Sequence, residues 1–190
     1  IGLHINNTYL PAVTDDLFLS DFLLEKNTPK NNKKILTVGS DEARKGIKYA
    51  MALARELPKY QYSWYGEVRS KISTTEIVLK GLLPNVPYYD YRYYFLTSVE
   101  DPWPIVALEA LSNGLLIFGW EHLSIIRALE AKKLAVSVRS FDTDDLLLKF
   151  KVNKHRQVNR NDAKNFLEQF SSQNIYGKTL INIMDTITNE

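Results

Sequence analysis

Three short stretches combine residue types that could do chemistry. In Ile105-Val106-Ala107-Leu108-Glu109-Ala110-Leu111, Glu109 is the one polar residue in an otherwise apolar run. A helix apolar nearly all round is buried, and an acid inside it is costly unless a donor meets it. Ribose hydroxyls at the mouth of a sheet are suitable donors, and a nearby Arg would serve as well. Asp101 precedes it in Val99-Glu100-Asp101-Pro102-Trp103-Pro104. Asp before Pro is a standard helix start, with the carboxylate capping backbone N–H groups. If the intervening segment is helical, it rises about 12 Å and turns the side chain by roughly 80° between the acids, which then address separate parts of one extended ligand. The third stretch is Arg44-Lys45-Gly46, at the opening of a helix. The helix dipole opposes cations in a first turn by about 0.3–1 kcal/mol each, a conflict that an anionic ligand removes. The plainer alternative is a solvated turn.

The elements that must position these residues follow from apolar periodicity. Ile35-Leu36-Thr37-Val38 reads as a strand ending at Gly39, and Ile47, Ala50, Met51 and Ala54 mark one face of the helix after it. Tyr62-Ser63-Trp64-Tyr65, Val86 to Tyr89, Tyr93 to Leu96, Leu115 to Phe118 and Leu134 to Val138 read as further strands. Ile72 to Leu79, Ile105 to Leu111 and Leu123 to Ala131 read as helices between them. From Asp142 the pattern is helical only, near Asp144 to Val152, Ala163 to Phe170 and Ile175 to Ile187. Strands alternating with helices imply βαβ units and a parallel sheet. The expected fold is α/β, a Rossmann-like doubly wound sheet with C-terminal helices. In such a sheet ligands bind outside the carboxyl ends of the strands, where helix N-termini offer N–H groups to anions. The loops after the strands are therefore the places for a site.

Composition narrows the function. A chain of 190 residues fits one domain with a sizeable core. Cysteine is absent, which excludes disulfides and thiolate metal sites and suits a reducing, cytoplasmic compartment. His4, His122 and His155 have no ligand spacing, so no metal is expected. The net charge of +2 and the mixing of signs argue against a nucleic-acid partner. The basic run from Lys26 to Lys34 reads as a solvated loop. No apolar run is long enough to span a membrane, and the N-terminus carries no signal pattern. Ile1 is not an initiator methionine, and Ile1 to Val13 reads as strand-rich material in mid-course, so a preceding segment is expected. The sequence contains no G-x-G-x-x-G after a strand, no G-x-x-x-x-G-K-[ST] and no G-x-S-x-G, which lowers the weight of dinucleotide oxidoreductases, P-loop NTPases and α/β-hydrolases.

Taken together, the residues resemble the C-terminal domain of retaining GT-B glycosyltransferases of the group 1 type, the large family of sucrose synthase-like and bacterial polysaccharide enzymes. Val38-Gly39-Ser40 with Lys45-Gly46 is similar to the opening strand, Gly-Arg turn and Lys-Gly pair of that domain. Asp101 and Glu109-Ala110 resemble its signature of an acid, seven residues and Glu-Ala, followed by Ser112-Asn113-Gly114 where a small residue and Gly are expected. Tyr9 to Phe18 looks like the linker into the domain, and Phe170-Ser171 with Ile175 and Leu180 resembles its closing helices.

The resemblance implies a linker segment over 1–32 and a nucleotide-sugar-binding domain over 33–190. It implies that Lys45 meets the donor diphosphate, Asp101 the transferred sugar and Glu109 the ribose, with Asp101 and Lys45 at the chemistry and Gly39, Ser40, Arg44, Gly46, Trp103 and Ile105 lining the donor. The implied activity is retaining transfer from a nucleotide sugar to a glycan or other acceptor in polysaccharide or glycoconjugate biosynthesis, without a separate cofactor. The implied partner is an N-terminal acceptor domain, through which peripheral membrane association would occur. The sequence departs from the pattern at Ser40, where the family has an Arg, and at Asp101, where it has Glu and where Glu100 is the adjacent alternative. Pro104 falls in the stretch whose N–H groups meet phosphates, and it has none. Between Tyr89 and Tyr93, and after Gly119-Trp120, the chain is shorter than the family's helix and glycine-rich loop, which implies a trimmed cleft or loop residues missing from it, with the second favoured. A non-catalytic, partner-binding domain of the same fold is the alternative. For it the aromatic run Tyr88 to Tyr94 would be a partner surface, against the plainer reading of strand packing.

Overall fold

The computed structural model describes residues 3–5, 8–10, 31–69 and 75–169. Strands β1 (Leu3–Ile5) and β2 (Thr8–Leu10) form an antiparallel pair of their own. The main sheet comprises β3 (Asn31–Val38), β4 (Gln61–Tyr65), β5 (Ile77–Leu79), β6 (Tyr91–Leu96), β7 (Leu116–Trp120) and β8 (Ala135–Val138). Its order is β5-β4-β3-β6-β7-β8, and every neighbouring pair is parallel. Chain direction across the sheet thus reverses between β3 and β6, the arrangement of a doubly wound dinucleotide-binding sheet. The α/β, Rossmann-like expectation holds.

Helix α1 (Ile47–Glu56) links β3 to β4, α2 (Ile105–Ser112) links β6 to β7, and α3 (Ser124–Ala131) links β7 to β8. Helices α4 (Thr143–Asn153) and α5 (Arg160–Glu168) follow, started by the side chains of Asp142 and Asn159, which accept backbone N–H groups. Trp120 meets Tyr49 of α1 edge to face, whereas a Cβ on adjacent Gly119 would stand 2.6 Å from Ile126 Cδ1 of α3. Successive strand residues face opposite ways, so α1 and α3 cover opposite faces. Helix α4 packs with α1, and α5 with α2. Both faces of the sheet are covered, which is why its central strands carry continuous apolar runs. Phe95, Phe118 and Phe150 sit at the centre with ring centroids 5.3–5.4 Å apart.

Three expectations change. Ile77 to Leu79 is strand, not helix end, because its Ile-Val-Leu run pairs with Tyr62 to Trp64, leaving the rest of the expected helix largely outside the described residues. Val86 to Tyr89 is no strand; a 3-10 turn over Tyr88–Asp90, just after Pro87, leads directly into β6. Lys33 and Lys34, taken as loop, belong to β3, with Lys34 Nζ over the Tyr91 ring at 5.8 Å. The tyrosine run is packing: Tyr88, Tyr91, Tyr93 and Tyr94 are buried, and of its tyrosines only Tyr89 is exposed, at 49%. The linker from Pro11 to Lys30 and the segment from Phe170 onward lie outside the described residues, as does the expected helix of Ile175 to Ile187.

Candidate functional site

The crevice where strand order reverses is built by the segments leaving β3 and β6. After Val38 the chain turns at Gly39, whose N–H donates to the Tyr65 carbonyl and whose own carbonyl accepts Trp64 Nε1 at 2.7 Å. A 3-10 turn over Ala43–Lys45 follows, closed by Gly46 at φ 72°. A Cβ on Gly46 would stand 1.9 Å from the Thr97 carbonyl oxygen, so only glycine lets this turn press against the end of β6. Backbone bonds then lace the two loops. Val99 N–H donates to the Arg44 carbonyl at 2.6 Å, Glu100 N–H donates to the same oxygen at 3.3 Å, and Thr97 Oγ1 donates to the Lys45 carbonyl at 3.2 Å.

Across this lacing Lys45 Nζ meets Asp101 Oδ2 at 2.6 Å. The side chains are 19% and 9% exposed, so water screens the pair far less than a surface ion pair. The structure therefore joins two of the residues singled out in the sequence, one from each side of the reversal. Immediately beyond them, at Ile47 and Ile105, begin α1 and α2, whose first-turn N–H groups have no partner within their own helices.

The local frame differs from the expected one. Arg44 and Lys45 precede α1 in the 3-10 turn and are not in its first turn, because Gly46 in the left-handed region ends one helix and begins the next. Arg44 turns outward to Glu42, Nε to Oε2 at 2.5 Å, with both side chains about half exposed. Ser40 Oγ donates to the other oxygen of Glu42 at 3.0 Å. Asp101 does not cap a helix: α2 starts at Ile105 after Pro104 and has no side-chain cap. A continuous helix from Asp101 to Glu109 is consequently not formed. Trp103 and Ile105 are partly buried beside Pro104.

Glu109 lies in the second turn of α2, where its Oε2 accepts from the Tyr88 hydroxyl. Burial pushes the Glu109 carboxyl above its ordinary pKa, with the Tyr88 hydrogen bond opposing. Burial likewise raises Tyr88, reinforced by Tyr94 and then by Glu109, so the phenol keeps its proton and donates. Tyr94, fully buried on β6, feels both acids: after burial, Glu109 and Asp101 raise its pKa while the Val38 backbone opposes. Both acids thus lie within the field of the same tyrosine. The hydrogen-bond partner of Glu109 comes from the segment leading into β6.

Two participants escaped the sequence reading. Tyr88 begins a 3-10 turn where the sequence pattern predicts a strand. His122 has no metal-ligand spacing in the sequence, yet its Nε2 donates to the Val99 carbonyl at 2.8 Å and its Nδ1 lies 2.8 Å from Ser140 Oγ. It ties the loops after β6, β7 and β8 together, and its partner Val99 is two residues from Asp101. The available signal was its place just after a strand's carboxyl end. Among the described residues no group of His, Cys, Asp or Glu is arranged to hold a metal ion, and no helix is long and apolar enough to cross a membrane.

The fold and this crevice define an α/β, Rossmann-like class of domain, and solved structures share it. Sucrose-phosphate synthase from Thermosynechococcus elongatus superposes with a TM-score of 0.74 over 95% of this chain and 53% of its own, at 15% identity. Anabaena HepE in complex with UDP gives 0.70 over 95% and 57%, at 13% identity. The pneumococcal O-GlcNAc transferase GtfA in complex with UDP and GlcNAc gives 0.65 over 97% and 40%, at 16% identity. The chain spans about half the length of these proteins. No protein-family model matches the sequence, and no curated protein matches it significantly. The fold is that of the Rossmann-like halves of GT-B glycosyltransferases.

Proposed function

We propose that this chain is the donor-binding half of a two-domain glycosyltransferase, taking a nucleotide sugar at the crevice between β3 and β6. One observation carries the reading: Lys45 and Asp101, from opposite sides of the strand-order reversal, converge to 2.6 Å at the place where such sheets bind ligands. A cation there suits a diphosphate, and an acid suits the hydroxyls of the attached sugar. Loss of a sugar from a nucleoside diphosphate builds negative charge on the leaving phosphate, and a fixed ammonium beside the first turns of α1 and α2 stabilises it. Glu109 is assigned to the ribose, and Gly39, Ser40, Arg44, Gly46, Trp103 and Ile105 to the walls of the donor site. The UDP bound by two of the solved neighbours supports a nucleotide ligand. Retention of configuration, a role in polysaccharide or glycoconjugate synthesis and a cytoplasmic setting rest on the sequence resemblance, as does an acceptor-holding N-terminal domain, the expected route to any membrane association.

The test is thermal unfolding with a panel of UDP-, GDP- and ADP-sugars. A donor at 100 times its dissociation constant adds about 2.7 kcal/mol of stability. Lys45→Ala is expected to weaken nucleoside diphosphate binding by about 1.5–3 kcal/mol, the range for a hydrogen bond to a charged group. Absence of stabilisation by every donor would remove the reading. The second reading, a non-catalytic module of the same fold, is favoured by the fact that both acids already have partners within the chain, Lys45 for Asp101 and Tyr88 for Glu109. Donor binding separates the two.

A further inference from the structure

We infer that Asp101 is a specificity-determining residue that makes the site favour a sugar-linked diphosphate over a bare nucleoside diphosphate, by holding Lys45 whenever no sugar engages it. This rests on the donor-binding reading above.

The physical basis is the state of the crevice without ligand. The Lys45 ammonium is in contact with the Asp101 carboxylate at 2.6 Å, and both side chains are mostly withdrawn from water. The neighbouring cation, Arg44, is turned outward to Glu42. A bare diphosphate must therefore take Lys45 from Asp101, or approach it with the carboxylate in place. In the second case two like-charged groups share a weakly screened site. In the first, a carboxylate 9% exposed loses its donor with little water to replace it. Either route weakens binding.

A sugar-linked diphosphate removes both difficulties. A carboxylate only accepts hydrogen bonds, and sugar hydroxyls donate them. The sugar supplies Asp101 with new donors while the phosphate takes over Lys45, so the ion pair is exchanged for two satisfied contacts. Once the sugar has left, Asp101 has lost those donors and returns to Lys45, which favours release of the spent nucleotide. The opposite role is equally definite in its consequences. If Asp101 only orients Lys45 toward phosphate, its removal weakens diphosphate binding.

The sign of one substitution decides between them. Pyrophosphate, UDP, ADP and GDP would be titrated calorimetrically into the wild-type chain, Asp101→Asn and Lys45→Ala, with pyrophosphate as a probe that needs no knowledge of the base. Asp101→Asn is expected to bind bare diphosphates about tenfold more tightly than wild type, the effect of removing one nearby like charge, while Lys45→Ala binds them more weakly. For the base that binds best, the preference for the sugar nucleotide over the bare diphosphate should shrink in Asp101→Asn. Circular dichroism checks the fold, and Asp101→Ser replaces Asn should that variant unfold. Unchanged or weaker binding in the Asp101 variant, with Lys45→Ala still impaired, overturns this inference and leaves the donor reading standing. Binding by no variant removes both.

Discussion

Glu109 presents a carboxyl that burial holds above its ordinary pKa of 4.5 and a single tyrosine hydroxyl to meet it. A group whose folded pKa is raised binds its proton more tightly folded than unfolded, so stability falls as pH climbs from that ordinary value through the raised one. Below both values the group contributes nothing to the pH dependence. Above both, the full penalty of the buried charge persists. Glu109→Gln keeps an acceptor for Tyr88 and removes the charge. Its expected stability to denaturant at pH 7 is at least that of wild type, with the difference vanishing toward pH 4. A loss of about 3–5 kcal/mol would instead mark a cation left unpaired, the behaviour of a broken buried ion pair. Nucleoside diphosphate affinity measured on the same variant separates the remaining roles. A drop in affinity at preserved stability supports the ribose contact, and unchanged affinity assigns Glu109 to Tyr88 alone.

At the scale of elements, the site depends on two loops being pressed together, and Gly46 is where this is most exposed to test. Alanine there would place a Cβ 1.9 Å from a backbone carbonyl at φ 72°, so backbone must move. The expected loss is at least about 2 kcal/mol in denaturant unfolding, since the left-handed conformation alone costs a non-glycine residue about 1–2 kcal/mol. Because the same shift displaces the adjoining Lys45 and the start of α1 from the end of β6, diphosphate binding should fall as well. An alanine variant with wild-type stability and affinity would contradict the lacing described here. Much of this frame was legible in sequence. Strands β3, β4, β6, β7 and β8 and helices α1 to α5 announce themselves through apolar period and the turn residues that bound them. What was illegible has physical reasons. A three-residue β5 carries too short a pattern to tell strand from helix, so Ile77 to Leu79 reads as the end of a helix. Tyr88 sits 21 residues from Glu109, and no local rule links them. The Asp-Pro pair at Asp101 imitates a helix start that Pro104, two residues beyond, takes over. The convergence of Lys45 on Asp101 depends on β6 lying beside β3, which a strand list does not reveal.

At the scale of the whole molecule, every candidate residue outside Glu109 stands on one edge of one sheet, the edge where the strands end. An anion site needs no more than this, because helix N-termini, one ammonium and one carboxylate all converge there. Transfer needs more. The acceptor hydroxyl must be held about 3–3.5 Å from the anomeric carbon in a water-excluded space, and positioning of this kind supplies about 7–11 kcal/mol of the barrier reduction. A single edge offers one side of that space, while the solved neighbours of this fold are roughly twice as long as this chain. The expected behaviour of these 190 residues alone is therefore binding without transfer. Incubation with the best-binding donor and a panel of sugar acceptors should yield at most slow release of free sugar, from water attacking an exposed donor. The products would be resolved by mass spectrometry in water enriched in oxygen-18, so that hydrolysis carries the label and transfer does not. Robust formation of an unlabelled glycoside by this chain would mean that the carboxyl edge of one sheet suffices for catalysis, and the two-domain proposal would fall.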